Sequence, residues 1–217
     1  MKQFFDTYVK QFKELPRTVL EIGSRDGNDA ETLRIMSNLE PWKTYVVEPH
    51  PELYRLITIN YPFFNVYPFA ISEKAEVLSF NAIPSTQHPM HVVGTSSLLK
   101  KTTTAKAKNE GETHPERWIK VMSITGTNLL ELIDKPEIDI VKIDVEGLSY
   151  QVLKSFGPDI RLLKALHIEV EMVEIWEGQH KYDEIQAYLR NWGFQEMYYR
   201  PAFWGGLQGD SIWVRID

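Results

Sequence analysis

The sequence predicts a doubly wound α/β fold, a mostly parallel sheet with helices on both faces and a C-terminal antiparallel hairpin. Three observations predict it. Short Val- and Ile-rich runs alternate with stretches of helical periodicity, the pattern of parallel strands joined by crossover helices. The first apolar run enters a glycine turn, Thr18-Val-Leu-Glu-Ile-Gly-Ser-Arg-Asp-Gly27, and the second, Val46-Val-Glu-Pro49, ends in a carboxylate. The closing stretch carries two strand signals, 193–199 and 211–216, joined by the glycine-rich segment 201–210.

Each element follows from its local pattern. Residues 1–16 read as a helix whose stripe of Phe4, Phe5, Tyr8, Val9, Phe12 and Leu15 docks on the domain rather than on a membrane surface. Charges interrupt every apolar run there, so no secretory signal is read, and no segment approaches a membrane span. Strands are expected at Val19–Ile22, 45–47, 65–70, 138–145 and 165–170, and helices at 30–39, 52–59, 148–156 and 182–192. The stretch 81–118 breaks this rhythm. It is polar, holds His88, His91, Ser96, Ser97 and a lysine-rich run, and reads as a long lid-like loop within a single domain spanning 1–217.

Composition removes several function classes. The 217 residues are 43% hydrophobic, enough for one well-buried domain. Twenty-four basic against 30 acidic side chains leave a net charge of −6, which argues against a nucleic-acid binder. With no cysteine there is no disulfide, zinc–thiolate site or thiol nucleophile. A soluble, cytoplasmic protein is expected, and homo-oligomerisation is left open.

The turn after the first strand selects the cofactor. An adenosine-bearing ligand suits a glycine turn followed by a strand-end carboxylate. A pyrophosphate needs bare backbone N–H groups at a helix start, but Ser24, Arg25 and Asp26 fill this turn, and Asp26 would repel it. S-adenosylmethionine has no phosphate. Glu21 is expected to receive its ammonium, directly or through water, and turn amides or Arg25 its carboxylate. Glu48, beside Pro49, would accept both ribose hydroxyls. Ala70-Ile71-Ser72 is expected to flank the adenine.

Asp139-Ile-Val-Lys-Ile-Asp-Val-Glu-Gly147 is the second strong signal. Its strand ends in Asp144 and Glu146, both costly near apolar surroundings without partners or work. Alternatively, Glu146 caps the next helix and Asp144 pairs with Lys142. The order Glu21-x-Gly23, Gly27, Glu48-Pro49, Asn60, Ala70-Ile-Ser72, Ser96-Ser-Leu98, Lys142-Ile-Asp-Val-Glu-Gly147 and Ile168-Glu169 resembles the FkbM-type methyltransferases. The resemblance runs from about Thr18 to Val170. It implies the class I (Rossmann-like) methyltransferase fold with a seven-stranded sheet, S-adenosylmethionine as cofactor, and methyl transfer to a hydroxyl of a sugar or natural product. Glu21, Gly23, Gly27 and Glu48 match its cofactor positions. Two positions depart from the family: Arg25 stands where Asn is common, and Glu21 where Asp is usual.

A sugar hydroxyl needs a base or a metal to shed its proton. Asp144, Glu146, Glu169 and Glu171 are the candidates, and strand alternation puts His167, Glu169 and Glu171 on one face. An ion such as Mg2+ could use Asp144 with Glu169. His91 or His88 could supply a neutral base instead. Ser96 and Ser97 are expected to close over a sugar, glycoside or glycan acceptor. Trp204, in an aromatic glycine-rich stretch, is expected to stack on it. Asn60-Tyr-Pro-Phe63 is similar to a motif of amino-group methyltransferases, but it lies after the wrong strand and reads as a helix end stopped by Pro62. The competing expectations are an N-methyltransferase with the same pocket and a catalytically silent binding module.

Overall fold

The computed structural model describes residues 1–102, 117–201 and 207–216. In chain order the first elements are α1 (Lys2–Phe12), β1 (Val19–Ile22), α2 (Asn28–Met36), β2 (Thr44–Val47), α3 (Pro51–Asn60), β3 (Asn65–Tyr67), β4 (Ala70–Ile71) and β5 (Val77–Asn81). Then come α4 (Met90–Val93), β6 (Trp118–Ile124), α5 (Gly126–Leu132), β7 (Ile138–Ile143), α6 (Ser149–Ser155), β8 (Leu163–Glu171), α7 (Tyr182–Asn191), β9 (Phe194–Pro201) and β10 (Gln208–Arg215). Seven strands form one sheet in the order β3-β2-β1-β7-β8-β10-β9. Its first five strands run parallel, and β10 is antiparallel to both neighbours. The doubly wound sheet and the terminal hairpin are therefore present.

The period of two along each strand sorts side chains to opposite faces. Leu20, Ile22, Val141, Ile143, Leu166 and Ile168 pack against Leu129, Leu130, Val152, Leu153, Ile185 and Leu189 of α5, α6 and α7. Val19, Ile140 and Ala165 point the other way, onto Phe4 and Tyr8 of α1 and Leu33 of α2. Two residues further along each of these strands, that second face carries Glu21, Lys142 and His167 in register. Glu169 follows after two more. Apolar alternation thus gives way to charge at the carboxyl edge, where doubly wound sheets bind ligands. α1 ends at Lys13, whose φ of 58° breaks the helix, so Leu15 lies outside it and is half exposed.

Two expectations need correction. The strand expected at 65–70 is two strands, because Pro68 has no N–H to continue a ladder. β3 ends the main sheet, whereas β4 joins β6 and β5 in a separate three-stranded sheet, order β4-β6-β5. Part of the expected loop at 81–118 is also ordered. α4 buries Val92 and Val93, and Asn81 bridges to Ser97. Residues 103–116, with most of the lysine run, lie outside the described residues. No helix among the described residues is long and apolar enough to cross a membrane.

Candidate active site

A cleft opens at the carboxyl ends of β1, β2 and β7, between the turn after β1 and the segment 91–98. The turn is built on left-handed backbone at Gly23 (φ 78°), Arg25 (φ 58°) and Gly27 (φ 80°). Gly23 lines the cleft, yet the protein itself requires its bareness: a Cβ there would stand 1.8 Å from the Asp144 carbonyl oxygen. Gly27 sits apart from the lining as the N-cap of α2, where a Cβ would meet the Tyr61 ring at 2.7 Å. Arg25 occupies a conformation that Asn adopts more readily, which gives the family's usual residue a backbone reason. Its side chain lies over Gly94 and joins the turn to the facing segment.

Glu21 does not line the cleft. It is fully buried behind it, where its carboxylate accepts from Ser24 Oγ (2.6 Å) and Ala30 N (3.2 Å) and faces Lys142 Nζ at 3.3 Å. In this position Glu21, expected from the sequence to receive a cofactor ammonium directly or through water, supports the turn and α2. Burial pushes its carboxyl up to about 7, against Lys142 and Ser24. Lys142 also pairs with Asp29 at 3.0 Å and Asp144 at 3.1 Å. The pairing of Asp144 with Lys142 weighed from the sequence is therefore present.

Glu48 does line the cleft, at the end of β2 beside Pro49. One oxygen accepts from Arg25 N and the other from His50 N, each at 2.8 Å, which fixes the carboxylate plane. Burial pushes this carboxyl up to about 7, with the two N–H groups pulling the other way. His50 Nδ1 accepts from Glu52 N, so its Nε2–H donates to the Ile83 carbonyl at 2.9 Å and ties the start of α3 to the segment above the cleft. Ala70 and Ile71 form an apolar wall of the cleft. Phe69, Phe80 and Leu53 complete it, and sequence reasoning missed them. Phe80 lies on β5, a strand whose one-sided alternation was the available signal.

Asp144, Glu146 and Glu169 come together across the cleft. Glu146 is held at φ 49°, and its carbonyl accepts from Ser97 Oγ at 2.8 Å. It does not cap α6, whose N-cap is Leu148. Burial, then the charge of Asp144, pushes Glu146 up to about 8. Burial and the charges of Asp144, Glu146 and Glu171 raise Glu169 well above the carboxylate range. Burial also opposes ionisation of Asp144, but the Lys142 ammonium outweighs it and holds this carboxyl low. His167 is buried against Phe4 and lowered to about 4 by burial, so it stays neutral. Ser96 Oγ accepts from Ile83 N and donates to Val93 O, and Ser97 Oγ accepts from Leu99 N besides donating to Glu146 O, so both serine hydroxyls are engaged within the protein. His91 is exposed and lines the cleft, His88 does not, and Trp204 lies outside the described residues.

A model of the FkbM methyltransferase domain matches residues 21–196. The structure of a methyltransferase FkbM from Methylobacillus flagellatus has a TM-score of 0.57 at 10% identity, covering 92% of this chain and 43% of that one. The chain thus spans less than half of that relative. A putative tRNA (m1A22) methyltransferase from Streptococcus pneumoniae, in complex with S-adenosyl-L-methionine, has a TM-score of 0.50 at 11% identity, covering 100% and 74% of the two chains. The magnesium protoporphyrin IX methyltransferase of Synechocystis, with bound cofactor, also scores 0.50, at 10% identity and 99% and 77% coverage. No curated protein matches. At such identities the structural likeness establishes the class I fold, while the domain match, over most of the chain, establishes more: the protein belongs to the FkbM methyltransferase family.

Proposed function

We propose that the protein methylates a hydroxyl oxygen of a sugar, glycan or natural product, with a carboxylate of the β7–β8 edge receiving the hydroxyl proton. One observation carries this reading: Asp144, Glu146 and Glu169 gather in the same cleft as Glu48, and in the free protein burial pushes Glu146 up to about 8. A base with a pKa near the working pH combines availability with driving force. The cleft suits the cofactor by its donor set. Glu48 offers two fixed oxygens for ribose hydroxyls, the Ala70–Ile71 wall suits a flat ring, and acidic surroundings suit a sulfonium. When bound, S-adenosylmethionine supplies an electrophilic methyl carbon, which the acceptor oxygen's lone pair takes while the carbon–sulfur pair stays on sulfur. The chain's residues align the two atoms and exclude water. On this reading Glu21, Ser24 and Arg25 shape the turn, and Ser97 fixes Glu146.

The test is transfer of a 13C-methyl group onto a panel of sugars and glycosides, with the product read by NMR. A methyl ether supports the proposal. An N-methyl product, from an amine drawn to the acidic edge, would overturn it.

The Glu48 carboxyl implies a pH dependence. In the free protein it is half protonated near pH 7, whereas ribose hydroxyls donate best to the ionised form. Cofactor binding therefore releases a proton. Affinity is expected to rise by up to about tenfold per pH unit below 7 and to level off above it. The sign for stability is opposite. A carboxyl whose folded pKa is raised favours the folded state at low pH, and that contribution is lost as pH climbs from the unfolded value to about 7. Calorimetry from pH 6 to 8 checks the first effect and thermal melting of the free protein the second.

A further inference from the structure

We infer that Asp144, Glu146 and Glu169 bind one divalent cation of the oxygen-preferring class, Mg2+ or Mn2+, at the acceptor end of the cleft. Each residue offers an oxygen, and these three oxygens lie within 4.8 Å of one another. An octahedral ion with bonds of about 2.1 Å places its ligand oxygens roughly 3 Å apart when adjacent and about 4.2 Å apart when opposite. The set can therefore close on an ion by side-chain movement alone. Two ligands come from the loop after β7 and one from β8, so the ion would pin neighbouring strand ends together. The donors are all carboxylates, which selects hard cations over zinc or copper.

Glu171 is the independent observation. It lies two residues beyond Glu169 on the same strand face and is 1% exposed. Its Oε1 has no hydrogen-bond partner, nor has the buried Oε2 of Glu169. A buried carboxylate oxygen without a donor is expensive, and a cation with its bound waters supplies the missing partners. Charge balance points the same way. Lys142, the ammonium that reaches this edge, is shared among Glu21, Asp29 and Asp144. Among the described residues no ion pair reaches Glu146, Glu169 or Glu171, and Lys101 and Arg25 offset the charge on Glu146 only in part.

The binding claim stands on this cluster, while its part in the reaction rests on the hydroxyl reading above. There, the acceptor oxygen takes an open coordination position and becomes more acidic. Its proton passes to a carboxylate of the same edge that the ion does not engage, and its lone pair forms the new bond to carbon while the carbon–sulfur pair stays on sulfur.

The test is Mn2+ titration of the full chain, freed of metal, followed by electron paramagnetic resonance. One Mn2+ per chain is expected, displaced by excess Mg2+, with affinity at least tenfold lower in Glu169→Gln and in Asp144→Asn. Circular dichroism confirms that each variant is folded. Displacement by Mg2+ is measured on the wild type and so does not depend on the variants. Absence of a stoichiometric Mn2+ site, or equal affinity in a folded Glu169→Gln, overturns the ion site whichever atom the enzyme methylates. An N-methyl product overturns the hydroxyl reading and leaves the Mn2+ result standing.

Discussion

Glu48→Ala is expected to weaken S-adenosylmethionine binding by roughly 100- to 10,000-fold. The estimate sums two charge-assisted hydrogen bonds to the ribose, each worth about 1.5–3 kcal/mol. The effect is large because the carboxylate is already aimed. Arg25 N and His50 N hold its two oxygens before any ligand arrives, so little ordering remains to be done on binding. The alanine also strips both N–H groups of their acceptor in a residue that is only 4% exposed. Calorimetry measures the loss, with the melting temperature as the check on folding. Unchanged affinity in a folded variant would place the ribose elsewhere.

Gly23→Ala is expected to cost more than about 4 kcal/mol, or to leave no soluble protein. The added Cβ would stand 1.8 Å from the Asp144 carbonyl oxygen and 3.0 Å from Val145 Cγ1, at a φ of 78° that side chains rarely adopt. Relief would require the chain after β7 to draw away from β1, where Asp144 N donates to Ile22 O at 3.0 Å. Gly157→Ala is the control. Its φ is also positive, at 50°, but nothing lies within 4 Å of the new Cβ, so only a backbone cost of about 1 kcal/mol is expected. Thermal melting of the two variants separates steric conflict from strain. Equal, small shifts in both would show that the turn has room to spare.

These positions show how far the sequence carried. β1, β2, β7 and β8 were legible because parallel strands buried on both faces read as continuous apolar runs, and β7 is buried at every position. β5 and β6 were not, since their alternation leaves Val77 and Met122 half exposed and looks polar on average. Pro68 divides what reads as one apolar run into strands of two different sheets. Within the site, Glu48, Asp144, Glu146 and Glu169 were visible as carboxylates at strand ends, where charge needs a reason. What each one touches was not visible. Glu21 and Glu48 both end buried strands, yet one braces the turn from behind and the other faces the cleft. Strand phase and the approach of α2 decide between those roles, and both depend on tertiary packing. The same holds for Ser97, whose hydroxyl fixes Glu146 through its carbonyl across 49 residues of chain.

The cofactor is expected to span the cleft from Glu48 to the β7–β8 carboxylates. A crystal structure with S-adenosylhomocysteine tests it most directly. The expected result places both ribose hydroxyls on the Glu48 oxygens, the adenine against Ala70 and Ile71, and the sulfur facing Asp144, Glu146 and Glu169. A ribose that makes no contact with Glu48, or a sulfur directed away from those three carboxylates, would contradict it.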